Sequence, residues 1–375
     1  MKILHLASHI GNIGDNASHI GFRTILPEVV DEPYSVENLE IRKFYKHYGQ
    51  SDKAFFNDDF AAFANKFDLL VIGGGGFLDF WVEGSETGTT INISDRVLRK
   101  LRVPLMIVSV GCIPHHEIPD GNVGRFKNFL DSLLARKNTL VAVRNDGSKG
   151  VLKEYFGARY EHAVPEVLDH GFYYKNDGRA YVPSGRPYIL INTTLDQVNM
   201  VNMKTGRIDK AKYIDEMREV IKYLLDKTEY DLVFASHIYK DIQASQLLLE
   251  GIDDFAIRSR IVLTPYVQGD DGCNQIFSAY KNARLVIGMR FHANVCSIAM
   301  DVPSIGIAAL DRVSSVYENL GLGDHVVPPG DNFSERVIEK IVSLETNYDS
   351  KHQVNLASRK NQCMDLYKKA YSNFR

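Results

Sequence analysis

Short runs of aliphatic and β-branched residues alternate along this chain with longer stretches whose apolar positions recur at helical spacing. The runs Ile3–Leu6, Leu69–Ile72, Leu105–Val110 and Leu140–Val143 predict strands in the first half. Tyr188–Ile191, Leu232–Ala235, Ile261–Leu263, Leu285–Ile287 and Ser304–Ile307 predict strands in the second. These runs are apolar almost without interruption, as in strands covered on both faces. Between them, Lys210–Leu225 places Ile214, Met217, Ile221, Leu224 and Leu225 at helical spacing. Strand and helix in alternation predict an α/β fold, with parallel sheets covered by helices.

The polar stretch Lys175–Pro187 carries two glycines and two prolines and no period. It is the expected linker, with bounds 177–187, between an N-terminal domain over 1–176 and a C-terminal domain over 188–331. A C-terminal helical segment, 332–375, is expected to open near Asn332 with Glu335 as its capping partner. Asp68–Gly73 and Arg284–Gly288 are the same device in the two halves, a buried strand closing on glycine. The echo suggests two related domains whose strand ends face a crevice, where open parallel sheets bind ligands.

Bulk properties narrow the class. At 375 residues the chain exceeds the size one core usually holds, and 45% hydrophobic with 24% charged residues is ordinary for a globular protein. A net charge of -3 gives no electrostatic case for a nucleic-acid partner. The apolar runs are too short for a membrane span, and the opening Met1–Leu6 is too short for a signal peptide. Cys112, Cys273, Cys296 and Cys363 are scattered, which argues for reduced thiols over a zinc knot or a disulfide framework. The expectation is a cytoplasmic protein without a membrane span; peripheral contact with a membrane surface stays open.

Candidate chemistry collects just after predicted strands. Gly11-Asn12-Ile13-Gly14-Asp15-Asn16 can turn the backbone tightly and offer helix N–H groups to an anion, with Asp15 a candidate base. The bland alternative is a strand–helix turn capped by Asp15 or Asn16. Gly73, Gly74, Gly75 and Gly76 suggest a loop whose amides line a ligand pocket, or else close packing of the next element. Phe77-Leu78-Asp79 follows, so the lysine and hydroxyl residue of a nucleotide-hydrolysing P-loop are missing. Arg144 can fork onto a carboxylate or phosphate, with Ser148 as a cap for the next helix; pairing with Asp146 at the surface is the alternative. His237 ends a strand with Asp241 four residues on, and is a candidate for catalysis or a packed residue. Arg290-Phe291-His292 is the most informative element: the guanidinium can hold an anion while the imidazole moves a proton. His115-His116-Glu117 lacks the spacing of a metal site, and no metal is expected. Asp58-Asp59, Asp253-Asp254 and Asp270-Asp271 read as solvated loop charges, although the last could see a ligand.

Taken in order, these pieces resemble the polysaccharide pyruvyl transferase family. The resemblance runs through Gly11–Asp15, Gly73–Gly76, Arg144 with Ser148, Ser236-His237 with Asp241, Gly288-x-Arg290-Phe291-His292 and Asp301–Gly306, to Ala309–Gly323. It implies two Rossmann-like domains facing a cleft, as in GT-B glycosyltransferases, and transfer of a carboxyethylidene group from phosphoenolpyruvate to a sugar, forming a ketal. By that resemblance Arg290 and His292 fall on the family's R-x-H positions and Arg144 on its strand-end arginine. With such a donor, Arg290, Arg144, Gly73–Gly76 and Arg312 are the expected donor contacts and Asn12, Gly14 and Asn16 the acceptor contacts, with His292 the expected proton donor and Asp15 or His237 assisting the acceptor hydroxyl. Arg312 stands where lysine is more usual, and Asn16 where an acidic residue is common. Expected partners are phosphoenolpyruvate and a sugar or lipid-linked sugar, with no further cofactor. A nucleotide-sugar glycosyltransferase on the same architecture is the alternative enzyme, and a non-catalytic sugar- or phosphate-binding module the alternative outside catalysis.

Overall fold

In a computed structural model, residues 1–178, 181–200, 206 and 208–374 are described. Their strands form two six-stranded, all-parallel sheets. The first holds β1 (Lys2–Ala7), β2 (Ser35–Glu40), β3 (Leu69–Gly75), β4 (Leu105–Val110), β5 (Thr139–Arg144) and β6 (Glu166–Val167), in the order β2-β1-β3-β4-β5-β6. The second holds β7 (Tyr188–Asn192), β8 (Asp231–Phe234), β9 (Ile261–Leu263), β10 (Leu285–Gly288), β11 (Ser304–Ile307) and β12 (Val326–Val327), in the order β12-β11-β10-β7-β8-β9. Each order reverses once, beside the first strand of its sheet: between β1 and β3, and between β7 and β10. Such a reversal opens a crevice at the strands' carboxyl ends. The echo pair, β3 and β10, occupies the equivalent place in each sheet.

The strands expected from sequence form, and β2, β6 and β12 are added to them at sheet edges. β2 (Ser-Val-Glu-Asn-Leu-Glu) is polar and largely solvated, while β6 and β12 are two residues each. In the second sheet both faces are covered. Ile189, Ile191, Leu285 and Ile287 pack with Met217, Val220, Ile221 and Val337 on one side. Tyr188, Leu190 and Val286 pack with Phe277, Tyr280 and Cys296 on the other. The period of two within each apolar strand feeds the two layers.

Contacts divide the chain into two compact units. The first comprises Met1–Ile10, Phe22–His170 and Ala357–Arg375; the second comprises Gly11–Gly21 and Gly171–Leu356. The last helix, His352–Phe374, ends in the first unit, where Tyr367 meets His170 at 3.0 Å and Arg359 pairs with Glu166 at 2.6 Å. Of the linker stretch 177–187, residues 179 and 180 lie outside the described ones.

Two expected caps are replaced. The helix Phe333–Asn347 starts behind Asn332, which is left-handed (φ 51°) and makes no side-chain cap; Glu216 accepts the Ser334 N–H instead. Ser148 is the first residue of its helix and is itself held by Asp146, which accepts both its N–H and its hydroxyl.

Candidate active site

The second unit gathers its polar residues beyond the carboxyl ends of β7, β8 and β10, around the reversal in strand order. β10 stops at Gly288, and Arg290 and His292 enter the first turn of the helix Phe291–Ala299. Asn192, the last residue of β7, accepts the Arg290 N–H at 3.0 Å and donates to the Ala235 carbonyl at 2.9 Å. Asn294 donates to the Gly288 and Arg290 carbonyls and accepts the Tyr317 hydroxyl at 2.8 Å. The turn is therefore fixed by neutral side chains on both flanks.

Arg290 is not an isolated cation. Its Nε lies 2.9 and 2.8 Å from the two oxygens of Asp241, and its Nη2 lies 2.6 Å from Asp241 Oδ1. The same Nη2 donates to Asp196 at 3.0 Å and to the Thr194 hydroxyl at 2.9 Å. Burial works against the guanidinium's charge, but Asp241 and Asp196 outweigh it and keep the group charged. Burial likewise opposes the Asp196 carboxylate, yet Arg290, the Thr194 hydroxyl and the nearby charge of Arg312 hold it below the usual carboxylate range. Arg312 is the second residue of the helix Asp311–Asn319.

The helix Ile13–Val29 brings its first turn to the same place. Asn12, and neither Asp15 nor Asn16, caps it: its side chain accepts the Gly14 N–H at 3.0 Å. Gly14 lies against two imidazoles. A Cβ there would stand 2.9 Å from His292 Cβ, 3.0 Å from His292 Nδ1 and 3.1 Å from His237 Nδ1. Asp15 Oδ1 is 3.7 Å from His292 Nδ1. Asn16 is buried and donates to Asp270 Oδ1 at 3.1 Å, so Asp270 is more than a solvated loop charge.

His237 is fully buried, three residues beyond the end of β8 at Phe234. Its backbone N–H donates to Asp241 at 2.9 Å and its Nε2 meets the Tyr280 hydroxyl at 2.9 Å. Burial, with Arg290 and His292 nearby, pushes its pKa well down and keeps the ring neutral. A neutral imidazole can accept a proton or donate one hydrogen bond, but it is no acid at neutral pH.

The remaining predicted residues belong to the first unit. Gly73, Gly74 and Gly75 are the closing residues of β3 rather than a loop, and all three are buried. Packing accounts for two of them, since a Cβ on Gly73 would lie 2.2 Å from the Val108 carbonyl oxygen and one on Gly75 would strike the Phe77 ring, while Gly74 is left-handed at φ 79°. Gly76 is pressed by the Asp79 carboxylate. Arg144 pairs with Asp146 at 2.6 Å and Asp169 at 3.2 Å; the alternative partner Asp146 is thus engaged, but in a buried pair and not at the surface. Burial opposes its charge and the two aspartates more than restore it. Cys112 donates its N–H to Ser148, and burial pushes its thiol well up, leaving it unreactive.

Sequence reasoning did not reach Asn192, Thr194, Asp196 or Tyr280. The one available signal was Asn192, a polar residue closing an otherwise apolar strand.

A sequence model of the polysaccharide pyruvyl transferases matches residues 12–311. The chain belongs to that family. As a member it is a transferase, and the match opens on Asn12 and runs through Arg290 and His292. No curated protein matches this pyruvyl transferase family member in sequence. Solved structures are similar to it in fold. A glycosyltransferase from Rickettsia africae ESF-5 is 11% identical with a TM-score of 0.56, covering 98% of each chain. The UDP-GlcNAc 2-epimerase of Methanocaldococcus jannaschii is 12% identical with a TM-score of 0.54, covering 96% of this chain and 100% of that one. The likeness supports two Rossmann-like domains of the GT-B kind. No described helix is long and apolar enough to cross a membrane.

Proposed function

We propose that this protein transfers a pyruvyl group from phosphoenolpyruvate to two hydroxyls of a sugar in a glycan precursor, forming a ketal and releasing phosphate. The observation that carries the reading is the meeting of Asp15, His237 and His292 at Gly14, beyond the β7/β10 reversal. Membership of the pyruvyl transferase family supports a pyruvyl donor. The reaction requires an acid at the donor's methylene carbon and a base at the acceptor hydroxyl.

His292 gives its Nδ1 proton to the methylene carbon, which becomes a methyl group. Positive character develops at the neighbouring carbon, and the first sugar hydroxyl attacks there, losing its proton to Asp15. The bond from that carbon to the phosphate oxygen then breaks, its electron pair leaving with the phosphate, and the second hydroxyl closes the ketal while its proton departs with the phosphate. The proton on Asp15 returns across the 3.7 Å gap to His292 Nδ1, which restores both groups. Arg290, the N–H groups opening the helix Phe291–Ala299, and Arg312 receive the donor's anions. His237 is neutral and supports this arrangement from beneath Gly14.

Thermal unfolding with phosphoenolpyruvate, UDP, GDP and CMP tests the donor, since a ligand selective for the folded form raises its stability. Stabilisation by phosphoenolpyruvate, with phosphate release when an acceptor sugar is added, is expected. Stabilisation by a nucleotide and none by phosphoenolpyruvate would overturn the proposal in favour of a nucleotide-sugar glycosyltransferase.

A further inference from the structure

Arg290 holds two carboxylates of different standing. Asp241 is completely buried in the helix Tyr239–Leu249, grips Nε through both oxygens, and also accepts the His237 and Ile238 N–H groups. It is built into the fold. Asp196 is 22% exposed, opens the short 3-10 turn Asp196–Asn199, and reaches Arg290 only at Nη2. Its other oxygen accepts the Thr194 hydroxyl at 2.8 Å.

One guanidinium facing two carboxylates is over-neutralised, and a further anion could approach only against their charge. Phosphoenolpyruvate brings both a carboxylate and a phosphate. A ligand anion at Nη2 must take the position of a carboxylate already there, and of the two only the one on the exposed turn can leave without opening the core. The charge of Arg312 also favours the Asp196 carboxylate. An anion on Arg290 Nη2 therefore matches the place Asp196 now fills.

The geometry points to Asp196 as an internal stand-in for the ligand's anion: it occupies Arg290 in the ligand-free protein and is displaced when the donor binds. The inference rests on the reading of Arg290 as an anion-binding residue. Displacement lowers apparent affinity by the fraction of molecules in which Asp196 is seated, and keeps Arg290 from collecting stray anions. The turn then swings outward while Asp241 keeps the guanidinium in place.

The test is calorimetric titration of inorganic phosphate and, separately, phosphoenolpyruvate into the full chain and its Asp196→Ala and Asp196→Ser variants. Asp196→Ser keeps a polar group near Thr194 while removing the charge. Both anions should bind up to about fivefold more tightly to the variants, the scale of one partly exposed ion pair. Unchanged or weaker binding would make Asp196 a prop or a ligand contact and would overturn the inference. Should both variants unfold, hydrogen exchange on the unmodified protein decides: amides of 195–199 should exchange faster with saturating phosphate, and added protection overturns it. Tighter phosphate binding without any response to phosphoenolpyruvate would keep this inference and sink the donor assignment.

Discussion

Arg290 and Asp241 form a forked, buried ion pair, with contacts of 2.6, 2.8 and 2.9 Å to a carboxylate that has no solvent exposure. The pair joins β10 to the helix after β8 across β7, because Asp241 also accepts the His237 N–H and Asn192 the Arg290 N–H. Removing the Asp241 charge leaves the guanidinium only the partly exposed Asp196 and weakens the acceptor of the buried His237 N–H, which costs about 3 kcal/mol. Asp241→Asn should therefore lower the denaturation midpoint sharply, and Arg290→Lys, which loses the fork, should do so nearly as much. Urea unfolding measures both. A variant as stable as the unmodified chain would show that the pair does not hold the site together.

His292→Gln and Asp15→Asn should each cut phosphate release by at least about a hundredfold, the usual worth of general acid–base catalysis. Donor binding, read by thermal shift, should survive in both. Loss of binding with loss of activity would instead make these residues part of the donor pocket. The double variant should be little worse than either single one, since the proposed proton passes between them.

Gly14→Ala tests the approach of the helix to the imidazoles. The new Cβ would stand 2.9 Å from His292 Cβ, an atom next to the backbone that cannot swing away. Overpacking of this kind costs about 1–3 kcal/mol. The displaced imidazole should lose about a hundredfold in turnover while the fold persists. Full activity in Gly14→Ala would remove the steric reason for the glycine and weaken its place in the site.

Much of this was legible in the chain. The buried strands announce themselves because both faces are covered, so Leu285–Ile287 or Leu105–Val110 reads as one apolar run. The edge strand Ser35–Glu40 is half solvated and carries no such signal. Arg290 and His292 were legible as a pair of unlike groups on one turn. What their neighbours do was not, because Asp196 and Asp241 reach Arg290 from 94 and 49 positions away. Gly73–Gly75 close a strand where a loop was expected, and sequence could not separate the two readings: a glycine required by a neighbouring carbonyl and one required by a ligand look identical there.

The glycine reading can be checked by itself. In Gly73→Ala the Cβ would meet the Val108 carbonyl oxygen at 2.2 Å, and that oxygen belongs to the neighbouring strand β4. The strands must part, with a loss of about 3 kcal/mol or more. A large fall in unfolding midpoint is expected. Loss of donor binding at unchanged stability would return Gly73 to the ligand.

His170 gives the first unit a sign and a window for its pH dependence. It is fully buried, its ring stacks on Phe22 with centroids 5.1 Å apart, and its Nε2 meets the Tyr367 hydroxyl. Burial pushes its pKa down to about 4, against 6.5 unperturbed, and Asp169 only partly opposes this. Between those values the unfolded chain takes up a proton that the folded chain refuses, so stability rises with pH through the window. The stabilisation is whole above pH 6.5 and is lost progressively as pH falls towards 4, about 3 kcal/mol in all. Urea midpoints measured from pH 7 down to pH 4 should fall more steeply for the unmodified protein than for His170→Phe, which cannot titrate. Parallel slopes would show that protonation of His170 does not drive the acid loss. The last helix supplies Tyr367, so the same steep fall should accompany its detachment, visible as faster hydrogen exchange over 357–374 at the acid end.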